Sequence, residues 1–323
     1  MSAEGGEKIS FDGRVVVITG AGQGLGKAYA LAFAKRGAKV VVNDLGIIME
    51  GKSQQTPIRI ADVVAEEIKK AGGTALANYD SVENAEKIVQ DTIKAFGRID
   101  IIINNAGILR DKAFHNMKVS DFTQVIKVHL KGTFLMCRCA WPYMRQQGFG
   151  RIINTSSVAG IFGNFGQANY SAAKMAIHGL TNTLAREGES KNILVNTIAP
   201  VAATRMTQGV LQSDLYNAVN VEYIVPFVEF LCSADCTLSG GLFEVGGGWA
   251  AKLRWQRSKG VAFDFPLKAE DVRDRMEEIN SFEKDAEFPD SGNGSVYKMF
   301  ENFERNQKRL QANKAAASDL KST

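Results

Sequence analysis

Cysteine is scarce in this 323-residue chain, with four residues, and none has the Cys-x-x-Cys or histidine-flanked spacing that holds a metal or a redox pair. Cys137, Cys139, Cys232 and Cys236 thus point to a reducing compartment and to no metal, and three of them lie in apolar surroundings that suit core filling. No apolar run approaches the roughly 18 residues that a membrane span needs. The amino terminus also lacks the basic-then-apolar order of a secretory leader, so a soluble intracellular protein is expected. Broad charge of one sign is missing as well. The net charge is +4, but Arg305, Lys308, Arg309, Lys314 and Lys321 stand against Asp319 in the last stretch, which leaves the body up to Glu304 neutral overall. A neutral body has no surface that tracks a phosphate backbone, which argues against a nucleic-acid partner.

What is present is an ordinary globular balance, 45% hydrophobic and 23% charged. That is enough for one domain of roughly 260 residues and an extension. Arg14 to Gly20 is a short β-branched run, followed by glycines, then Ala28, Leu31, Ala32 and Lys35 at helical spacing and a stop at Gly37. The pattern repeats, with strands expected at Lys39 to Asn43, Thr74 to Ala77, Ile99 to Asn104, Gly150 to Thr155, Leu194 to Ile198 and Gly241 to Val245. Between them a helix is expected over Pro57 to Ala71, with Thr56 as cap, Pro57 in the first turn, and Ile60, Val64 and Ile68 on one face. Strands this apolar, separated by helices, predict an α/β fold: a doubly wound parallel sheet of Rossmann type, in three layers.

Gly46 to Thr56 reads as a polar insertion longer than the usual connection. Beyond Gly248 the alternation stops, and Glu270 to Phe282 reads as one helix with a polar outer face. The expected organisation is a cofactor-binding and catalytic domain over 1–250, a helical extension over 251–304 packing on it, and a basic, alanine-rich tail or linker over 305–323.

Tyr170 and Lys174 are four residues apart, one turn on the same helix face. A cation about 4 Å from a half-buried phenol is worth roughly 4 kcal/mol and would bring its pKa from about 10 toward roughly 7, which makes a base. The same spacing is common on solvated helix faces, so spacing alone does not choose. Upstream, Thr19-Gly20-Ala-Gly-Gln23-Gly24-Leu25-Gly26 joins the first strand to the first helix, where glycines let amides approach a pyrophosphate. Asp44 closes the second strand 18 residues after Gly26, placed to accept from ribose hydroxyls and to repel a 2′-phosphate, which favours NAD over NADP. Asp44 as a simple turn former is the competing reading.

These residues carry a resemblance. Gly20-x-x-x-Gly24-x-Gly26, Asn104-Asn105-Ala106-Gly107, Ser157 thirteen residues before Tyr170, and Tyr170-x-x-x-Lys174 resemble the short-chain dehydrogenase/reductase family over about residues 9–250. The resemblance implies that Tyr170 exchanges a proton with the substrate oxygen, that Lys174 lowers its pKa and holds the nicotinamide ribose, and that Ser157 hydrogen-bonds the same oxygen. It also implies that Asn105, Ala106 and Gly107 line the NAD cofactor, that Asp80, Ser81 and Val82 contact adenine, and that Ala202, Thr204 and Arg205 lie beside the nicotinamide amide. A strand-end hydroxyl for Ser157 and a helix cap for Asp80 are the plainer alternatives. Two positions depart from the family. His129 stands where most members place an asparagine that serves a water relay behind the lysine, and Val201 follows Pro200 where a glycine is usual. His129 is either a support of catalysis or a packed polar residue.

Asn78 to Val82, Asn105 to Asp111, His129, Asn164 to Tyr170 and Phe243 to Trp249 with Lys252 to Trp255 resemble a subgroup that oxidises (3R)-hydroxyacyl-CoA to 3-ketoacyl-CoA with NAD in peroxisomal fatty-acid β-oxidation. That resemblance implies an acyl-CoA substrate, a homodimer, and a hydratase or lipid-carrier domain in a longer parent chain. A steroid or other secondary alcohol, or a cofactor-binding module without chemistry, are the alternatives. Arg110, Lys112, Arg205, Lys252, Arg254 and Arg257 are candidate partners for coenzyme A phosphates, although cations also serve solubility. The carboxyl end Leu320 to Thr323 is not a Ser-Lys-Leu peroxisomal address.

Overall fold

The Val15–Thr19 run forms strand β1, and all five of its residues are buried because helices cover both faces of the sheet around it. The structure is a computed structural model and describes residues 8–49, 57–202, 219–283, 285–289 and 293–319. Residues up to Leu253 form one unit and those from Arg254 another. In chain order the first unit contains β1, α1 (Gly24–Lys35), β2 (Lys39–Asn43), β3 (Ile47–Met49), β4 (Pro57–Arg59), α2 (Ile60–Lys70), β5 (Thr74–Asn78), α3 (Ala85–Phe96) and β6 (Ile101–Asn104). It continues with α4 (Val119–Ile126), a π turn over Lys127–Lys131, α5 (Gly132–Gln147), β7 (Gly150–Thr155), α6 (Val158–Phe162), α7 (Ala168–Gly188), β8 (Ile193–Pro200), α8 (Val225–Cys232), β9 (Leu242–Gly246) and β10 (Trp249–Leu253).

Eight of these strands make one sheet in the order β10-β9-β8-β7-β6-β1-β2-β5, parallel throughout except for the β10 edge. Side chains alternate between faces, so Val16 and Ile18 join a core with Tyr29, Phe33 and Val64, while Val17 joins the opposite core with Ile88, Ile102, Met136 and Met144. The strand order reverses between β1 and β6, where the chain leaves toward β2 on one side and toward β7 on the other. In open sheets of this kind that switch point, at the carboxyl ends of the strands, is where ligands bind. The expected Rossmann-type sheet is therefore observed.

Local expectations were less accurate. Pro57–Arg59 does not open a helix; it pairs antiparallel with Ile47–Met49, and α2 starts at Ile60, whose N–H donates to Gly46 O at 3.1 Å. The ribbon supplies cross-strand partners for backbone groups that a first helical turn leaves open. Thr56 lies outside the described residues. Ile60, Val64 and Ile68 do share the buried face of α2. Strand β10 was missed because its residues are mostly exposed and carry little apolar patterning.

In the second unit, the expected helix over Glu270 to Phe282 is instead two short ones, α9 (Ala269–Asp274) and α10 (Met276–Ile279), broken at Arg275. Helix α11 (Asn293–Asp319) continues through the segment expected as a tail. Its residues Arg305, Asn306 and Arg309 donate to the carbonyls of Phe263 or Phe265, which anchors the helix within this unit.

Candidate active site

The loop between β1 and α1 is shaped by glycines that nothing larger replaces. Gly20 has φ +64°, and a Cβ on Gly26 would lie 2.1 Å from Gly20 O. A Cβ on Gly22 would lie 2.5 Å from Ile60 Cδ1. The amide of Asn105 clamps this loop, donating from Nδ2 to Thr19 O at 3.1 Å and Gly20 O at 3.0 Å. The Thr19 hydroxyl in turn accepts from the N–H groups of Asn105 and Ala106, both at 3.1 Å. Helix α1 then begins with no acidic residue in its first turn and no side-chain cap at Gln23, so its amino end faces out electropositive. A backbone cradle at a helix amino terminus fits a dinucleotide pyrophosphate. Gly24 is exposed there, and Gln23 and Leu25 are half-buried.

Asp44 is held in place by the same loop. One carboxylate oxygen accepts from Gly22 N at 2.9 Å and the other from Gly46 N at 2.8 Å. Further along the sheet edge, Asn43 Nδ2 donates to Asn78 Oδ1 and Asp80 O, and Asp80 N–H donates to Asn78 Oδ1. Ser81, not Asp80, is the cap of the short turn that follows, accepting from Glu83 N, and Val82 is buried beneath Gly132. Ala202 is buried at the end of the described part of its segment, while Thr204 and Arg205 lie outside the described residues.

At the ends of β7 and α7 the structure brings Ser157, Tyr170 and Lys174 together. Ser157 ends β7's extension as the amino cap of α6, its Oγ accepting from Ala159 N at 3.2 Å. Its hydroxyl also lies close enough to the Tyr170 side chain to lower the phenol's pKa. Lys174 is buried, donates to Thr155 O at 2.6 Å, and has its Nζ 5.5 Å from the Tyr170 ring centre. Ser156 Oγ donates to Lys174 O at 2.7 Å and fixes the helix to the strand end.

Burial works against the expected electrostatics at both groups. Burial raises the Tyr170 pKa above that of a free phenol; the Ser157 hydroxyl opposes this and Asp111 adds to it. Burial also lowers the Lys174 pKa to about 7, so near neutrality the amine carries only part of a charge with which to stabilise a phenolate. The sequence argument placed a full cation beside the phenol; the fold encloses that cation, and desolvation wins.

His129 lies in the π turn and is buried, its Nε2 2.9 Å from Ile108 N and 2.8 Å from Ile108 O. Its ring meets Tyr170 edge to face at 5.2 Å. Gly107 is needed here, because a Cβ would sit 2.4 Å from His129 Cε1.

Sequence reasoning assigned no role of their own to Thr19 and Asn169. Asn169 is fully buried, donates to Arg110 O at 2.9 Å and accepts from Tyr170 N at 2.8 Å. Its position directly before Tyr170 at a helix start was the available signal. Two of the expected phosphate cations have partners within the second unit. Arg254 stacks over Phe288 at 3.5 Å, and Arg257 is engaged by Glu287 and Ser295 within the second unit. Arg110 and Lys112 are exposed on the first unit, and Arg205 lies outside the described residues. Among the described residues no group of three or more His, Cys, Asp or Glu is placed to hold a metal, and no helix is long and apolar enough to cross a membrane.

The cradle at a sheet switch point and the Ser157, Tyr170, Lys174 cluster define a dinucleotide-dependent oxidoreductase. The chain matches the short chain dehydrogenase family over residues 14–214 and belongs to it; the family uses NAD or NADP. It is similar to peroxisomal multifunctional enzyme A of Dictyostelium discoideum, 54% identical over 89% of this chain and 64% of that protein. It is also similar to the peroxisomal hydratase-dehydrogenase-epimerase of Neurospora crassa, 59% identical over 79% of this chain and 28% of that protein. Among solved structures, full-length peroxisomal multifunctional enzyme type 2 from Drosophila melanogaster superposes with a TM-score of 0.78 at 40% identity, covering 92% of this chain and 50% of that one. The chain thus spans less than two thirds of the length of each of these relatives.

Proposed function

We propose that this chain is an NAD-dependent (3R)-3-hydroxyacyl-CoA dehydrogenase that forms 3-ketoacyl-CoA in peroxisomal fatty-acid β-oxidation. The observation that carries the reading is the Ser157, Tyr170, Lys174 cluster beside a dinucleotide cradle, in a chain similar over most of its length to peroxisomal multifunctional enzymes. Gly20, Gly22 and Gly26 with Asn105 would hold the dinucleotide, which supplies the hydride acceptor. Asp44, fixed by two backbone amides, presents a carboxylate that repels a 2′-phosphate and favours NAD. Tyr170 takes the proton of the C3 hydroxyl, and Ser157 donates a hydrogen bond to the same oxygen as it becomes a carbonyl. Lys174 braces the end of β7 through Thr155 O and stands behind the phenol.

In the same proposal the chain pairs as a homodimer and is the dehydrogenase part of a longer peroxisomal protein, in keeping with the hydratase-dehydrogenase-epimerase name of one relative. The test is a stereospecific assay: NADH absorbance should rise with the R thioester and NAD, and free coenzyme A should compete. Turnover of the S epimer with none of the R, or indifference to coenzyme A, would remove the substrate assignment.

A further inference from the structure

The segment between β2 and α2 has no part in the chemistry above, yet the chain leaves it at a residue packed against two glycines that hold Asp44. We propose that this residue, Ile60, is a positioning residue for cofactor choice: its side chain keeps Gly22 and Gly46 closed on the Asp44 carboxylate. The proposal rests on the reading of Asp44 as the group that favours NAD over NADP.

The geometry is specific. Gly22 N–H donates to Asp44 Oδ2 at 2.9 Å and Gly46 N–H to Oδ1 at 2.8 Å, so one glycine amide holds each carboxylate oxygen. Both glycines also press on Ile60. A Cβ on Gly22 would lie 2.5 Å from Ile60 Cδ1 and 2.9 Å from Asp44 Oδ2, and one on Gly46 would lie 2.3 Å from Ile60 Cδ1 and 3.1 Å from Asp44 Oδ1. The two glycines thus share the same two neighbours, the tip of Ile60 and the carboxylate of Asp44. Glycine has the freest backbone of any residue and no side chain of its own to pack. A carboxylate held by two glycine amides is therefore fixed only as far as a third group fixes the glycines. Ile60, 5% exposed, is that group.

The fold in turn fixes Ile60 from two directions. In the β3–β4 ribbon Ile47 pairs opposite Arg59, and Ile60 N–H then donates to Gly46 O at 3.1 Å, so the ribbon returns the chain to the glycine it left. Beyond the end of β5, the Arg59 guanidinium lies 4.3 Å from the Tyr79 ring centre, and the Tyr79 hydroxyl donates to Asp62 in the first turn of α2. A β-branched side chain has few χ1 choices in a helix, so the Ile60 tip keeps one place. Position matters for discrimination: a hydrogen bond to a ribose hydroxyl weakens steeply once its length or angle departs from the optimum, and repulsion of a phosphate falls with distance.

Calorimetric titration with NAD and with NADP, without substrate, tests this. Ile60→Ala should raise the NAD dissociation constant about tenfold, the size of one net hydrogen bond, and leave that of NADP within about twofold, so the preference falls about tenfold. Ile60→Val removes only Cδ1; it should lower the preference about threefold, and it serves if the alanine variant does not fold. Val64→Ala is the control, a buried residue on the same face of α2 that is not among the nearest neighbours of either glycine. It should destabilise the fold and leave the preference unchanged. Equal weakening of both dinucleotides in the Ile60 variants, or the same loss of preference in Val64→Ala, would reduce Ile60 to a packing residue and overturn the proposal. In the cofactor-free protein, hydrogen exchange at the Gly22 and Gly46 amides should quicken about tenfold in Ile60→Ala and not in Val64→Ala. Unchanged exchange would overturn the clip whatever the cofactor. A wild type without preference for NAD would overturn the reading of Asp44 and this proposal with it, whereas a preference that survives the loss of Ile60 overturns this proposal alone.

Discussion

Replacing Lys174 by methionine should remove a pH dependence from the stability of the cofactor-free protein, in a direction and size that follow from its burial. Lys174 is 3% exposed, and burial lowers its pKa to about 7. An unfolded lysine titrates near about 10.4. Between these values the unfolded chain binds a proton that the folded chain does not. The enclosed ammonium therefore costs stability in full below about pH 7, and the cost disappears as the pH rises through the unfolded value. Wild-type stability must then climb with pH at up to about 1.4 kcal/mol per unit, which amounts to about 2.5 kcal/mol between about pH 7.5 and about pH 9.5. Lys174→Met lacks this contribution while sharing every other titrating group. Its own offset, from leaving Thr155 O without the donor now at 2.6 Å, is about 1–3 kcal/mol and varies little with pH. Urea unfolding of both proteins across that range reads the difference directly. The gap should shift by about 2.5 kcal/mol in favour of the wild type as pH rises. A gap constant to within about 0.5 kcal/mol would refute the claim that burial controls this lysine, and a shift of opposite sign would mean that a partner raises its pKa.

Tyr170→Phe should lower kcat by about 10²–10⁴ while leaving NAD affinity intact, and because the phenol pKa is raised, wild-type oxidation should accelerate with rising pH; a rate insensitive to both would remove Tyr170 as the base. Gly26→Ala places a carbon 2.1 Å from Gly20 O and 2.7 Å from Asn105 Nδ2, so the loop must shift; NAD titration should show binding lost, at a cost of about 1–3 kcal/mol in urea unfolding. Asp100→Ala tests a structural site away from the chemistry: this fully buried carboxylate accepts from Val15 N at 2.9 Å and from Arg14 and Arg98. With both arginines partly exposed and able to turn to water, the loss should be about 2–3 kcal/mol, and turnover per folded molecule should be unchanged.

The helix and strand alternation was legible because each periodicity is a local property of a few residues. Thus β2 and β7 have the bounds expected from Lys39 to Asn43 and Gly150 to Thr155. The glycine turn and the Tyr170–Lys174 pair were legible for a related reason: a chemistry that needs fixed offsets leaves them in the chain. Pro57–Arg59 was misread because its structure depends on pairing with Ile47–Met49, and β10 was missed because it is a mostly exposed strand held by its hairpin pairing with β9 rather than by apolar periodicity. In the same way, nothing in a run of charges says that Arg254 will stack on Phe288.

The division runs through the site itself. Sequence alone determined which groups are available: a serine, a phenol, an amine, a carboxylate after the second strand, and an imidazole where asparagine is usual in the family. Only the tertiary structure decided their state. It enclosed Lys174 so that its charge is weakened, tied Asp44 to Gly22 and Gly46, and placed His129 between Ile108 and Tyr170. The physical reason is that residue type sets what a side chain can donate, accept or ionise, whereas desolvation and contact geometry depend on segments far apart in the chain.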